Sequence, residues 1–290
     1  MGDMGRSARS SFLDGEPFKI IDSGAQVHYR NRDCRLVQGD CLKVLEALPE
    51  GSVDLIFADP PYLLSNGGTT CASGKRVAVD KGRWDASGGL AADHDWNLKW
   101  LSACQRVLKP SGTIWVSGTQ HVIFSIGFAM QSLGFHLLNT ITWFKPNASP
   151  NLACRFFTHS TEIVLWASPS RKKPLPHTFH YKDMKAENGG KQMRDLWQLP
   201  EPDGAQVVWS LPTPKKSEKK AGRHPTQKPL QLLDRIVRAG SSPSELVLDP
   251  FNGSGTTGVA ALSSGRRYIG IDIDAQYLEL TRRRIIEDTE

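Results

Sequence analysis

The sequence predicts an α/β fold organised on a doubly wound, mainly parallel sheet, and three observations carry that reading. Short, continuously apolar runs recur along the chain, as strands covered on both faces require. Stretches with helical spacing lie between them, so β and α elements alternate. Two of the apolar runs end in turns rich in proline or glycine, Asp59-Pro60-Pro61-Tyr62 and Asp249 to Thr257. Taken in order, strands are expected at Cys34–Gln38, Val53–Ala58, Thr113–Ser117, Leu138–Trp143, Glu162–Trp166, Leu246–Leu248 and Tyr268–Ile271. Helices are expected at Cys41–Leu48, Asp95–Leu108, Val122–Leu133, Pro229–Ala239, Thr257–Ser263 and Ala275–Ile286.

The 290 residues suit a flexible, polar tail over 1–18 and a single domain over 19–290. With 39% hydrophobic and 23% charged residues, wholesale disorder is excluded. No apolar run approaches the ~18 residues of a membrane span. Five cysteines without a C-x-x-C pair argue against a disulfide framework or a zinc knuckle and point to a reducing cytoplasm. The eight histidines show no metal-ligand spacing, so no metal is expected.

Two stretches break the alternation. Residues 63–93 are glycine-rich and carry Lys75, Arg76, Lys81 and Arg83; a loop of that length reads as a mobile flap. Residues 168–223 hold 12 Lys and Arg against 6 Asp and Glu, so the chain's whole net charge of +6 sits there. That concentration marks a surface for a polyanion, with Arg171, Lys172, Lys173, Lys215, Lys216, Lys219 and Lys220 as its candidate contacts. The plain alternative for both is a solvated insertion. Arg282-Arg283-Arg284 near the C-terminus is expected to be a solvated helix face.

The glycine turn Asp249-Pro250-Phe251-Asn252-Gly253-Ser254-Gly255-Thr256-Thr257 joins a strand to a helix, where backbone N–H groups are free to face a ligand. Asp272 follows Gly253 by nineteen residues, where a Rossmann-type sheet holds ribose hydroxyls. The spacing is neither G-x-G-x-x-G nor a P-loop, so a nucleoside-like ligand without phosphates fits better than a dinucleotide. At Asp59-Pro60-Pro61-Tyr62, two prolines fix φ and remove two donors, leaving the Asp59 carboxylate and the Pro60 carbonyl beside the Tyr62 ring. Two acceptors and a flat face are what would hold the exocyclic amine of a planar base.

These two motifs together resemble the S-adenosylmethionine-dependent DNA amino-methyltransferases. The order, catalytic motif first and glycine turn near the C-terminus, resembles the permuted β class. His224-Pro225-Thr226-Gln227-Lys228-Pro229 and Gly39-Asp40-Cys41-Leu42 match that class as well. Phe157-Thr158-His159-Ser160-Thr161-Glu162 and Asp80-Lys81-Gly82-Arg83-Trp84-Asp85 are similar to the DpnA-type adenine methylases that modify GATC. The resemblance implies a Rossmann-like methyltransferase sheet in circularly permuted motif order, with residues 168–223 as a target-recognition insert. It implies transfer of a methyl group from S-adenosylmethionine to adenine N6 in an everted base, with cytosine N4 as the alternative. Asp59, Pro60, Pro61 and Tyr62 would be catalytic, with Asp59 also among the residues that bind the cofactor. Asp249, Phe251, Gly253 and Gly255, with Pro250, Asn252, Ser254, Thr256 and Thr257 of the same turn, would line the methionine side of the cofactor. Thr226 and Lys228 would meet its carboxylate, Asp272 its ribose, and Asp40 with Cys41 its adenine. The expected partner is DNA, double-stranded or single-stranded, with a homodimer and a cognate restriction endonuclease as further partners.

Overall fold

The computed structural model describes residues 24–65, 69–72, 75–78, 85–146, 148, 150–152, 154–171, 176–197, 214, 218, 222 and 224–289. In chain order the elements are β1 (Gln26–Arg30), β2 (Cys34–Gln38), α1 (Cys41–Ala47), β3 (Val53–Ala58), β4 (Thr69–Ala72), β5 (Lys75–Ala78), α2 (Leu90–Val107), β6 (Leu108–Gly118), α3 (Ile123–Ser132), β7 (His136–Phe144), β8 (Thr161–Ser168), α4 (Tyr181–Glu187), β9 (Leu196–Trp197), α5 (Leu230–Gly240), β10 (Leu246–Asp249), α6 (Thr256–Ser263), β11 (Arg267–Asp272) and α7 (Ala275–Thr289). Every expected strand and helix is present. The helix expected from Asp95 begins earlier, at Leu90, after Gly89.

Nine strands form one sheet in the order β1-β2-β11-β10-β3-β6-β8-β7-β9. Its centre, β2 through β6, is parallel; β1 pairs antiparallel with β2, and β8 antiparallel with both β6 and β7. All six residues of β3 and all four of β10 are buried, which explains their uninterrupted apolar sequences. Alternate residues feed two cores. Ile56, Val116 and Leu248 meet Val44, Leu45, Trp100, Leu101 and Ile126 of α1, α2 and α3 on one face. Leu55, Phe57, Trp115 and Val247 meet Leu233, Ile236, Val259, Leu278 and Ile285 of α5, α6 and α7 on the other. Helices on both faces make the sheet doubly wound, as expected.

The pairing that matters most is β10 with β3, Val247 beside Leu55 and Leu248 beside Ile56, in parallel. From β3 the chain crosses through α2 to β6 on one side, and from β10 through α6 to β11 on the other. The crossovers therefore diverge between these two strands, and a crevice opens at their carboxyl ends. Asp59 and the glycine turn, far apart in sequence, leave neighbouring strands on the same edge.

Two irregular stretches contain more structure than their composition suggested. Within 63–93, β4 and β5 form a hairpin with Cys71 opposite Arg76 and Ala72 opposite Lys75. Within 168–223, α4 buries Met184, β9 pairs with β7 through Trp143 and Trp197, and Glu187 bonds Arg235 and Arg238 of α5. That part of the insert belongs to the second face of the sheet. The expected tail over 1–18 lies outside the described residues. No helix among the described residues is long and apolar enough to cross a membrane.

Candidate active site

A cavity of about 390 Å³ occupies the crevice. It is lined by Asp59, Pro60, Pro61 and Tyr62, and by Asp40, Cys41, Thr226, Lys228, Asp249, Pro250, Phe251, Asn252, Gly253, Ser254, Thr256, Thr257 and Asp272. The proline corner and the glycine turn thus share one chamber. Gly255 alone of the expected ligand-facing residues is not in the lining. It takes φ +72°, and a Cβ there would collide with the Thr281 side chain of α7, so helix packing rather than a ligand demands this glycine.

At the proline corner, strand β3 delivers Asp59 into a network of charges. Lys228 Nζ donates to Asp59 Oδ2 at 2.5 Å. Ser117 Oγ, on the neighbouring strand β6, donates to Asp59 Oδ1 at 2.5 Å. The Tyr62 hydroxyl lies 2.8 Å from Asp59 Oδ1 and 3.1 Å from Glu162 Oε2. Glu162 opens β8, receives Lys145 Nζ at 2.7 Å on Oε1, and stands 3.7 Å from Lys228 Nζ through Oε2. Burial alone would raise the Glu162 pKa, but Lys228 and Lys145 overcome that and hold it below the ordinary carboxylate value. Burial likewise opposes the charge on Lys228, and Asp59 and Glu162 more than restore it. Tyr62, 7% exposed, stays a phenol, its pKa pushed well up by burial and by the adjacent Asp59 and Glu162. One face of its ring carries the Lys228 ammonium, 5.2 Å from the centroid.

The exit from this corner is strained. Leu63 adopts φ +58°, in the left-handed region that costs a branched side chain of order 1–3 kcal/mol. Asp85, fully buried, holds it there by accepting from Leu63 N at 2.8 Å, Leu64 N at 3.1 Å and Ser65 Oγ at 2.8 Å.

The two carboxyls at the glycine turn are held by neutral donors. Asp249 accepts from Thr257 Oγ1 at 2.6 Å and Phe251 N at 3.0 Å. Burial pushes its carboxyl up to about 7, against these two hydrogen bonds. Asp272 accepts from Gly253 N at 2.8 Å and Asp274 N at 2.9 Å, and burial raises it to about 6. Gly253, at φ +50°, has the His224 ring 3.3 Å from where a Cβ would stand. Arg284 of α7, 4% exposed, donates to Ser254 O at 2.6 Å and to Thr256 Oγ1 at 3.0 Å. This corrects the expectation of a solvated arginine face: Arg282 pairs with Glu279, but Arg284 points inward and braces the turn. Asp40 caps α1 by accepting from Leu42 N and Lys43 N while still lining the cavity. Burial and then Asp40 push the Cys41 thiol up to about 12, leaving a neutral, soft wall there.

Sequence reasoning did not single out Ser117 or Lys145 as site residues, and it named Asp85 and Glu162 only within family stretches. The signal at Ser117 and Glu162 was a polar residue at the end of an apolar strand run. Lys228 was expected to face a ligand carboxylate; here it faces Asp59, because a buried ammonium needs a counter-charge. Of the expected polyanion contacts, Arg171 donates to Phe135 O and Gln131 O beside α3. Lys75 and Arg76 fall on β5, whereas Lys81, Arg83, Lys172, Lys173, Lys215, Lys216, Lys219 and Lys220 lie outside the described residues. Among the described residues no group of His, Cys, Asp and Glu is arranged to hold a metal ion.

Residues 53–283 match the family of N6/N4 methyltransferases described as DNA methylase. The Type II methyltransferase M2.LlaDCHI of Lactococcus lactis subsp. cremoris is 48% identical over 258 residues, 89% of this chain and 91% of that protein. M2.DpnII of Streptococcus pneumoniae is 47% identical over 263 residues, 91% and 93% of the two chains. Among solved structures, the cytosine-N4-specific PvuII DNA methyltransferase superposes with TM-score 0.67 at 21% identity, over 89% of this chain and 88% of that one. A DNA modification methylase of Thermus thermophilus complexed with S-adenosyl-L-methionine gives 0.57 at 23%, over 87% and 92%. These two likenesses are of fold; the sequence relatives and the family match carry the assignment. The chain belongs to the N6/N4 DNA methylase family.

Proposed function

We propose that the protein transfers a methyl group from S-adenosylmethionine to N6 of an adenine everted from DNA, at GATC sites. The observation that carries this is the single cavity shared by the proline corner and the glycine turn. The chamber suits the donor, which bears a sulfonium. Asp40, Asp59, Asp85, Asp93, Asp249, Asp272 and Asp274 line it against Lys228, and two of those acids are raised by burial, so a cation is welcome. Phe251, Ile271, Ile273 and Tyr277 give the apolar walls a nucleoside needs.

When bound, the sulfonium supplies an already activated methyl group. The protein's task is the acceptor, an aromatic amine whose lone pair is delocalised. Asp59 Oδ2 and the Pro60 carbonyl accept its two N–H bonds, which localises the lone pair for in-line attack. As the C–S bond breaks and the N–C bond forms, Asp59 stabilises the positive charge on nitrogen and stands nearest to take its surplus proton. Ser117 and Tyr62 orient the carboxylate through Oδ1. Eversion of the base costs a few kcal/mol. The basic residues Lys75, Arg76, Lys81, Arg83, Arg171, Lys172, Lys173, Lys215, Lys216, Lys219 and Lys220 are proposed to grip the DNA backbone, giving binding that weakens steeply with salt. Thr226, Asp272, Asp40 and Cys41 keep their proposed places around the cofactor, and no metal is invoked.

Asp59 at the first motif position and the likeness to DpnA-type methylases favour adenine and GATC over cytosine N4. The Type II relatives support a place in restriction–modification, with a cognate endonuclease and a homodimer as proposed partners in the cytoplasm. The test is to incubate the protein with labelled methyl donor and DNA with or without GATC, then identify the modified nucleoside. N6-methyladenine confined to GATC DNA is expected; N4-methylcytosine would transfer the reading to the other branch of the family.

A further inference from the structure

Both oxygens of Asp59 are occupied: Oδ1 by Ser117 and Tyr62, Oδ2 by Lys228. A substrate amine that takes the place of Lys228 at Oδ2 displaces an ammonium that is 7% exposed. Such a group cannot be left without an anion, because the cost of an unpaired buried charge is severe. It therefore needs a second carboxylate within one side-chain adjustment. Glu162 Oε2, 3.7 Å from Lys228 Nζ, is that carboxylate. Its other oxygen is fixed by Lys145 at 2.7 Å, which points the acceptor at Lys228 and keeps it ionised.

We infer that Glu162 is a positioning residue of the methyl-transfer step: it takes Lys228 over from Asp59 as the amine binds, and returns it when product leaves. The inference rests on the proposed use of Asp59 as amine acceptor, but not on which base carries the amine. The groups facing Lys228 are Asp59 and Tyr62 beyond β3 and Glu162 on β8, with Lys145 beyond β7 behind Glu162 and Asp249 of β10 near Asp59. With Glu162 neutral, Asp59 is, among the described residues, the ammonium's one remaining carboxylate in direct contact. The pair then tightens, and turnover requires Lys228 to lose its proton. Loss of one of its two anions also lowers the Lys228 pKa, so that deprotonation moves toward the accessible alkaline range.

The test compares wild type, Glu162→Gln and Glu162→Asp in single-turnover methylation across pH, with thermal melting and cofactor binding measured alongside. For whichever base wild type methylates, Glu162→Gln is expected to lose ~10²-fold in rate at neutral pH. Cofactor affinity and KM for DNA should change little. Its rate should climb with pH where wild type is flat, and Glu162→Asp should restore the wild-type profile with part of the rate. Glu162→Gln at wild-type rate, or slowed with an unchanged pH profile, overturns the inference; so does an aspartate variant that behaves like the glutamine one. If Glu162→Gln does not fold, Lys145→Met, which removes one of the two cations that keep Glu162 ionised, decides: a rate that climbs with pH where wild type is flat supports the handover, and a profile parallel to wild type overturns it. N4-methylcytosine as product would sink the adenine reading and leave this one standing.

Discussion

Asp59 and Asp249 end neighbouring strands on the same edge of the sheet, yet their partners differ in kind. Asp59 meets a lysine ammonium, a serine hydroxyl and a phenol. Asp249 meets a threonine hydroxyl and a backbone N–H, and burial lifts its carboxyl to about 7. The first corner is built on compensated charge around a carboxyl acceptor. The second is built on hydrogen bonds around a carboxyl that burial makes reluctant to ionise. On the proposed reading the reaction falls to the first corner and donor binding to the second, and the two are coupled, since the Asp59 charge adds a smaller push to the Asp249 carboxyl than burial does.

The largest effect expected of that division is at the first corner. Asp59→Ala should remove methyl transfer by ~10²–10³-fold or more while cofactor affinity, read by calorimetry, is largely kept. Equal loss of both would show that the corners are one structural unit. Asp85→Ala strands the Leu63 and Leu64 amides and frees a strained turn, so denaturant titration should show about 2–3 kcal/mol of lost stability, with turnover falling as well. At the second corner the effect is one of pH. A carboxyl raised from 3.8 to about 7 on folding favours the folded state while protonated, and that advantage is lost as pH climbs from about 4 through 7. For Asp249 the loss between pH 5 and pH 8 amounts to about 2–3 kcal/mol. Asp249→Asn should therefore flatten the fall in Tm over that range, and should weaken binding of the cationic donor more than of an uncharged thioether product. A fall in Tm as steep as wild type's would remove Asp249 as its source. Smallest, Leu63→Gly relieves the left-handed strain but gives up the packing of a half-buried side chain against the first core and adds freedom to the unfolded chain, so a net loss of only about 1 kcal/mol is expected on denaturant titration.

What was legible in the sequence follows from where each residue's role originates. Strands β3 and β10 could be read because both faces are covered, leaving an uninterrupted apolar signal bounded by Pro and Gly turns. Strand β1, Gln-Val-His-Tyr-Arg, was not read as a strand, because it lies at the sheet edge and is largely exposed. The β4–β5 hairpin and β9 escaped because their pairing is not written in apolar periodicity. The motif residues of the site were legible because each motif is local. Ser117, Lys145 and Glu162 act through pairing of β6, β7 and β8. Nothing within a few residues of any of them says that it will face Asp59 or its partners. Lys228 illustrates the limit best: a basic residue near an anion was foreseen, but not that the anion belongs to the protein.

The strand order has a consequence for biosynthesis. Consecutive strands β2 and β3 are separated in the sheet by β11 and β10, which are made last. Until residues 246–272 emerge, β2 lacks its native partner β11 and β3 its native partner β10. Contacts of such long range delay folding. Transfer chemistry is therefore withheld from the nascent chain until the glycine turn has been made, and a product terminated before it carries the proline corner without the bend that completes it.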